Sequence, residues 1–314
     1  MPTAKLRHEA WMDCRMAHPI EHWEEIGRRI AAATGTTPRI RDHETVGGGS
    51  INHAYMLHGA SGERWFVKLN DANGAAMFAA EAAGLEEICR SQSLRVPTPV
   101  CHGIAGDVAF LVLEYLELRS ASATSAEQLG RGLAAMHRYA RKEYGWDIDN
   151  AIGSTPQPNS PLKNWTQFWH ERRLGFQLAL ANRNDHGRRL QTQGKRLLDA
   201  LPKLLAGHAP PASLLHGDLW SGNYGSLPSG APVIFDPAVY YGDRETDLAM
   251  TELFGGFPPA FYRAYREAWP LAPGYELRRQ LYNLYHVLNH LNLFGGGYLS
   301  QAEGMIGRLL GEAG

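Results

Sequence analysis

The sequence is poor in cysteine: Cys14, Cys89 and Cys101 are the only three in 314 residues. No two of them stand at CxxC or metal-ligand spacing, and an odd count closes no disulfide framework, so free thiols in a reducing compartment are expected. An excess of one charge is missing too. With 31 Lys and Arg against 32 Asp and Glu, no broad field draws the chain to nucleic acid or to an anionic membrane surface. Long apolar runs are absent. The stretch at 108–113 is far below the roughly 20 residues that span a bilayer. The first residues, MPTAKLRHEAWMDCRMAH, carry charges throughout and lack the apolar core and cleavage site of a signal peptide. These absences point to a cytoplasmic protein with a small-molecule partner, no nucleic acid and no membrane. No internal repeat is found, and the Pro/Ser-rich stretch STPQPNSP at 154–161 reads as a loop.

What is present is ordinary for a folded chain: 44% hydrophobic and 20% charged residues exclude a disordered or fibrous class. Residues 1–19 read as an N-terminal extension, with Met16 as an alternative start. A helix is predicted over 22–35, followed by strands in RIRDHETV, NHAYMLHG and RWFVKLN, with the last two joined by a Gly-containing turn. Residues 74–90 read as a helix rich in Ala, Glu and Leu, and a second strand pair lies in VPTPVCHG and AFLVLEYLEL. From 124 onward helical periodicity dominates. The expected fold class is α+β: a small β-rich N-lobe with one long helix over 20–116, then a larger, mostly helical C-lobe over 117–314, joined near 114–117.

Residues that could carry chemistry fall in a definite order. Gly47-Gly48-Gly49 lies between two strands, where glycine lets backbone amides approach phosphate; alone it equally suits a hairpin turn. Lys68 sits within an apolar strand and Glu81 follows thirteen positions later on a helix. A lysine held by a carboxylate can neutralise phosphate charge, although solvent-facing positions explain both residues as well. The strongest signal is LLHGDLWSGNYG at 214–225. His216, Asp218 and Asn223, with Asp236 at the end of the strand PVIFDP, offer a group to take a hydroxyl proton and oxygen ligands to hold Mg²⁺ against nucleotide phosphates. His286 and His290 stand one helical turn apart without a third ligand, which favours a buried or pocket-lining helix face over a metal pair.

The order of Gly-rich hairpin, strand Lys, helix Glu, HxDxxxxN loop and strand-end Asp resembles the protein-kinase-like superfamily, with HGD as in small-molecule kinases such as aminoglycoside and choline phosphotransferases. HGDLWSGN, GGSIN at 48–52, IGSTPQ at 152–157, FWHERRL at 168–174 and FDPAVYYGDRETDLAM at 235–250 together look like the fructosamine kinase, or ketosamine-3-kinase, family. That resemblance implies a bilobal kinase-like fold and ATP- and Mg²⁺-dependent phosphorylation of a ketosamine on the sugar O3, a deglycation repair. It implies Asp218 as catalytic base, His216 bracing its loop, and Asn223 and Asp236 on the metal. Gly48, Gly49 and Ser50 would cover the phosphates, and Lys68 would contact them with Glu81 behind it. The backbone of Glu114, Tyr115 and Leu116 would pass the adenine, and Asp247 would accept backbone hydrogen bonds from the catalytic loop. Trp220, beside the base, has two readings: an aromatic face for the sugar, or an indole packed in the lobe core. Asn289 and Asn292 are further candidates for the acceptor pocket. The rival functions are a kinase of another small alcohol, of the aminoglycoside or choline kind, and a nucleotide-binding pseudokinase.

Overall fold

The structure is a computed structural model that describes residues 20–36, 38–47 and 51–314. The extension over 1–19 and the residues Gly48, Gly49 and Ser50 lie outside the described residues. The chain divides into two compact units, one ending at Glu86 and resuming over Pro97–Leu116, the other formed by Glu87–Val96 and Glu117–Gly314.

In the N-terminal unit α1 (Ile20–Thr34) buries Trp23, Ile26 and Ile30, whose spacing places them on one helical face. Strands β1 (Ile40–Val46), β2 (His53–Gly59), β3 (Arg64–Asp71), β4 (Pro99–Ala105) and β5 (Val108–Glu114), with helix α2 (Ala75–Arg90) between β3 and β4, form a sheet of order β1-β2-β3-β5-β4. Every neighbouring pair is antiparallel. Trp65, Val67 and Leu69 of β3 and Val108, Phe110 and Val112 of β5 share one core with the α1 residues. Because side chains alternate along a strand, this core commits Lys68 to the opposite face of β3. There it stands between Ala54 and Leu111 of the flanking strands.

The C-terminal unit continues with α3 (Ala123–His137), β6 (Ala140–Arg141), β7 (Asn150–Ile152), β8 (Thr155–Gln157) and α4 (Trp165–Phe168). A π-helical turn (Trp169–Leu174) leads into α5 (Gly175–Arg183) and α6 (Arg188–Leu204). Then come β9 (Ala212–Leu215), β10 (Tyr224–Ser226), β11 (Pro232–Ile234), β12 (Tyr240–Gly242), α7 (Glu245–Leu253), α8 (Pro259–Ala268), α9 (Tyr275–Phe294) and α10 (Leu299–Glu312). α9 is buried continuously from Leu281 to Asn289, which marks it as a core helix, and α5, α7 and α10 pack on it. The stretch at 154–161 is not all loop. Thr155–Gln157 is strand, paired antiparallel with Asn150–Ile152; its Pro156 occupies the exposed middle position of a two-stranded hairpin, where no further strand needs its missing N–H.

Three short elements position the residues of interest. Strand β9, buried along its whole length between β12 and β6, delivers His216 at its end. The antiparallel β10–β11 hairpin carries Asn223 immediately before its first strand and Asp236 shortly after its second. No described helix is long and apolar enough to cross a membrane.

Candidate active site

In the N-terminal unit Lys68 is 5% exposed, and its Nζ donates to Glu81 Oε1 over 2.6 Å. A lysine facing solvent is thereby excluded. Glu114 closes the β4–β5 edge: its N–H donates to Thr98 O and its Oε1 accepts from Thr98 N. Tyr115 lies under the Arg64 guanidinium, 4.4 Å from the ring centroid, and Leu116, the last residue of this unit, is half-buried.

In the C-terminal unit the structure brings His216, Asp218, Asn223, Asp236 and Asp247 into one network. Asp247, at 1% exposure on α7, accepts the His216 N–H over 2.7 Å on Oδ2 and the Gly217 N–H over 2.9 Å on Oδ1. Behind it runs a buried chain of donors. Arg244 donates to the Tyr265 hydroxyl over 2.9 Å, Tyr265 O–H to His137 Nδ1 over 2.8 Å, and His137 Nε2–H to Asp247 Oδ2 over 3.1 Å. Burial works to raise the Asp247 carboxyl, but His137, His216 and the Gly217 amide together hold it below its ordinary value. Asp247 thus remains an anion that fixes backbone, while burial lowers the pKa of His137 and keeps it a neutral imidazole.

His216 is also neutral, its pKa lowered by burial. Its Nε2–H donates to Phe235 O over 3.0 Å while Nδ1 accepts the Asp218 N–H over 3.3 Å. One ring therefore ties the Asp218 loop to the strand end that carries Asp236. Gly217 adopts φ +83°, and a Cβ there would lie 2.0 Å from Ala238 O; only glycine permits that approach.

Asn223 Nδ2 donates to Asp218 O over 2.9 Å and leans toward Asp218 Oδ2 at 3.5 Å, so its Oδ1 is left as an acceptor on the other side of the amide. Asp236 holds φ +58°, a left-handed conformation that non-glycine residues seldom adopt and that clusters at functional sites. Burial, then the charges of Asp236 and Asp247, push the Asp218 carboxyl up to about 7. The Asp236 carboxylate and the Asn223 amide oxygen are hard oxygen donors of the kind Mg²⁺ takes, and the like charge concentrated around Asp218 is what a divalent cation would offset. The residues fit that ion. A group whose proton affinity lies near neutrality can also take a proton from a hydroxyl and release it again.

Trp220 is 38% exposed, which rules out the lobe-core reading of its indole. The ring covers Gly222, where a Cβ would meet it at 2.3 Å. On α9, His290 Nδ1–H donates to His286 O and burial drives the His286 imidazole down to about 3; among the described residues no third metal-ligating group gathers with the two histidines. Asn289 and Asn292 are taken up by Gln177 on α5.

Sequence reasoning missed His137, Arg244 and Tyr265. Their partners lie far off in sequence, so no local spacing betrays them, although Arg244 falls within the quoted stretch FDPAVYYGDRETDLAM. It also missed Gln157 and Asn150, although the first of these lies in the quoted stretch IGSTPQ.

The sequence profile of the fructosamine kinase family matches residues 22–312. The chain belongs to the fructosamine kinase family. It is 48% identical to a Synechocystis protein named a probable ketoamine kinase, covering 92% of this chain and 97% of that one. A chloroplastic protein-ribulosamine 3-kinase of Arabidopsis thaliana is 40% identical over 92% of this chain and 86% of its own length. The solved structure of a candidate fructosamine-3-kinase from Haemophilus somnus superposes with a TM-score of 0.85 at 29% identity, covering 92% and 98% of the two chains. An ADP-bound aminoglycoside phosphotransferase shares the fold alone, with a TM-score of 0.60 at 11% identity over 91% and 97% of the chains. The protein is therefore a phosphotransferase of the α+β kinase-like class.

Proposed function

We propose that the protein transfers the γ-phosphoryl group of ATP to the O3 hydroxyl of the sugar part of a ketosamine, the adduct of a sugar with an amine, and so initiates deglycation. The observation that carries this reading is Asp218, a carboxyl poised near 7 on a loop whose backbone is clamped by Asp247. Asp218 accepts the proton as the hydroxyl oxygen attacks phosphorus and ADP departs, and the fixed loop holds it in line. Asn223 Oδ1 and Asp236 hold Mg²⁺, whose chemistry is to neutralise charge on the nucleotide phosphates.

In this scheme His216 braces the catalytic loop. Lys68, oriented by Glu81, neutralises the α- and β-phosphates, and Gly48, Gly49 and Ser50 cover them. The backbone of Glu114, Tyr115 and Leu116 receives the adenine. Residues 20–116 serve as the nucleotide-binding domain and 117–314 as the domain of the catalytic loop, in a cytoplasmic protein. Trp220 presents its open indole face to the apolar side of the sugar; the 38% exposure supports that role, and sugar on indole is a favourable pairing of C–H with ring face. The names of the Synechocystis and Arabidopsis relatives support a ketosamine acceptor.

The test is ADP release with MgATP and fructosyl-lysine or ribulosyl-lysine, beside an aminoglycoside and choline. Turnover confined to the ketosamines supports the proposal. Turnover of the aminoglycoside or choline alone would replace it with the rival alcohol kinase, and nucleotide binding without any turnover would leave a pseudokinase.

A further inference from the structure

The strained backbone of Asp236 needs something to hold it, since a left-handed residue costs about 1–2 kcal/mol and persists only where its surroundings over-determine it. On one side, Phe235 is fixed by its N–H to Asn223 O and by His216 Nε2–H to its carbonyl. On the other, Pro237 offers no donor, and the next two residues are gripped from the β7–β8 hairpin. Ala238 N–H donates to His216 O over 2.8 Å, while Ala238 O accepts from Gln157 Nε2 over 3.1 Å and Val239 O from Asn150 Nδ2 over 2.8 Å.

Gln157 is 1% exposed and every polar atom of its side chain is used. Nε2 also donates to Asn150 Oδ1 over 2.9 Å, and Oε1 accepts the Tyr285 hydroxyl from α9 over 2.7 Å. The hairpin is itself anchored. Arg173, fully buried on the π-helical turn, donates to Pro158 O over 2.7 Å and to Asn159 Oδ1 over 2.8 Å, the two residues that follow Gln157. Ala238 O is the same atom that forbids a side chain at Gly217. The Gln157 amide thus fixes the carbonyl on which the catalytic loop and the Asp236 segment meet.

We propose that Gln157 is a positioning residue for divalent-cation binding: through Ala238 O it sets the backbone angle at which Asp236 offers its carboxylate. This rests on the metal assignment of Asp236 made above. Residues that orient a metal ligand change metal affinity by about 10–100-fold when lost.

The experiment compares wild type, Gln157→Leu and Tyr285→Phe. Mn²⁺ bound in the presence of ADP is counted from the paramagnetic signal of the free ion, and the Mg²⁺ concentration for half-maximal ketosamine turnover is read separately. Gln157→Leu is expected to weaken Mn²⁺ binding about tenfold and to raise the Mg²⁺ requirement in step, with the ketosamine KM unchanged. Tyr285→Phe, which removes the hydroxyl that orients the amide and keeps the ring, is expected to give a smaller shift in the same direction and stands in should Gln157→Leu fail to fold. Unchanged Mn²⁺ binding in folded variants, even with lower thermal stability or kcat, overturns the proposal, as does wild type that binds no Mn²⁺. The Mn²⁺ readout needs no acceptor, so failure of the ketosamine assignment leaves it standing.

Discussion

Lys68 and Asp218 are both set in strand-led frameworks, yet they are held in different ways. Lys68 is positioned by the alternation of β3 and met by a side chain, Glu81, from a helix. Asp218 is positioned through its backbone: Asp247 takes the N–H groups of the two residues before it, and His216 takes its own N–H. A side-chain pair can loosen or re-form as rotamers change, whereas a backbone clamp inside a buried network fixes one geometry. The difference matches the two tasks proposed above. A phosphate-neutralising cation tolerates small movements, and an in-line proton acceptor does not.

The comparison can be broken first at Asp218. Asp218→Asn is expected to reduce turnover by about 10²–10⁴-fold, the range for loss of a general base, measured by ADP release. It should also stabilise the fold above pH 7. The folded carboxyl titrates at about 7 against 3.8 ordinarily, so between those values the folded protein binds more protons than the unfolded chain. The contribution of this group to stability then falls as pH rises through that window, and the variant escapes the fall. Melting curves at pH 5 and pH 8 check the sign. In wild type, kcat/KM for the ketosamine should climb with pH as Asp218 ionises and then level off.

The clamp itself is tested by His137→Phe, which leaves Tyr265 O–H without its acceptor and removes one donor from Asp247. The expected result is kcat down about tenfold and a stability loss of about 1–3 kcal/mol for the orphaned buried group, read by denaturant unfolding. An unchanged kcat in the folded variant would show that the donor chain only stabilises. On the other side of the comparison, Glu81→Gln keeps an acceptor near Lys68 but removes the charge. It should raise the nucleotide KM several-fold with a smaller change in kcat; a fall in kcat equal to that of His137→Phe would erase the distinction drawn here. The smallest effect on the fold is expected for Trp220→Ala. Its exposure keeps the stability change within about 0.5 kcal/mol, while the ketosamine KM rises and the nucleotide KM does not.

Much of this was legible in the sequence because the chemistry is local there. HGDLWSGN places Asp218 and Asn223, the proposed proton acceptor and metal ligand, five residues apart, and that spacing is set by one loop. Lys68 stood out as a lysine within an apolar strand, but which face it took was decided only by the core that Trp65, Val67 and Leu69 share; the kinase-like order of elements followed from the motifs. The residues that were missed act over long sequence separations. His137 reaches Asp247 across 110 positions and Gln157 reaches Ala238 across 81; no local pattern encodes such a pairing. Trp220 stayed open between two readings because periodicity cannot say whether an aromatic on an irregular loop faces core or solvent; the neighbouring Gly222 held the clue, as the flat ring needs a residue without a side chain beneath it. The stretch 154–161 was read as loop because proline and serine dominate its composition, yet three of its residues form a strand whose pairing demands nothing from Pro156.

The central claim is that Asp218 deprotonates the O3 hydroxyl of a ketosamine. Its most direct test is to incubate wild type and Asp218→Asn with MgATP and fructosyl-lysine and to identify the product by ³¹P-coupled NMR at early times. The account predicts a phosphate monoester on C3 formed by wild type and absent with the variant. A phosphate on another sugar carbon, or the same product at the same rate from Asp218→Asn, would contradict it.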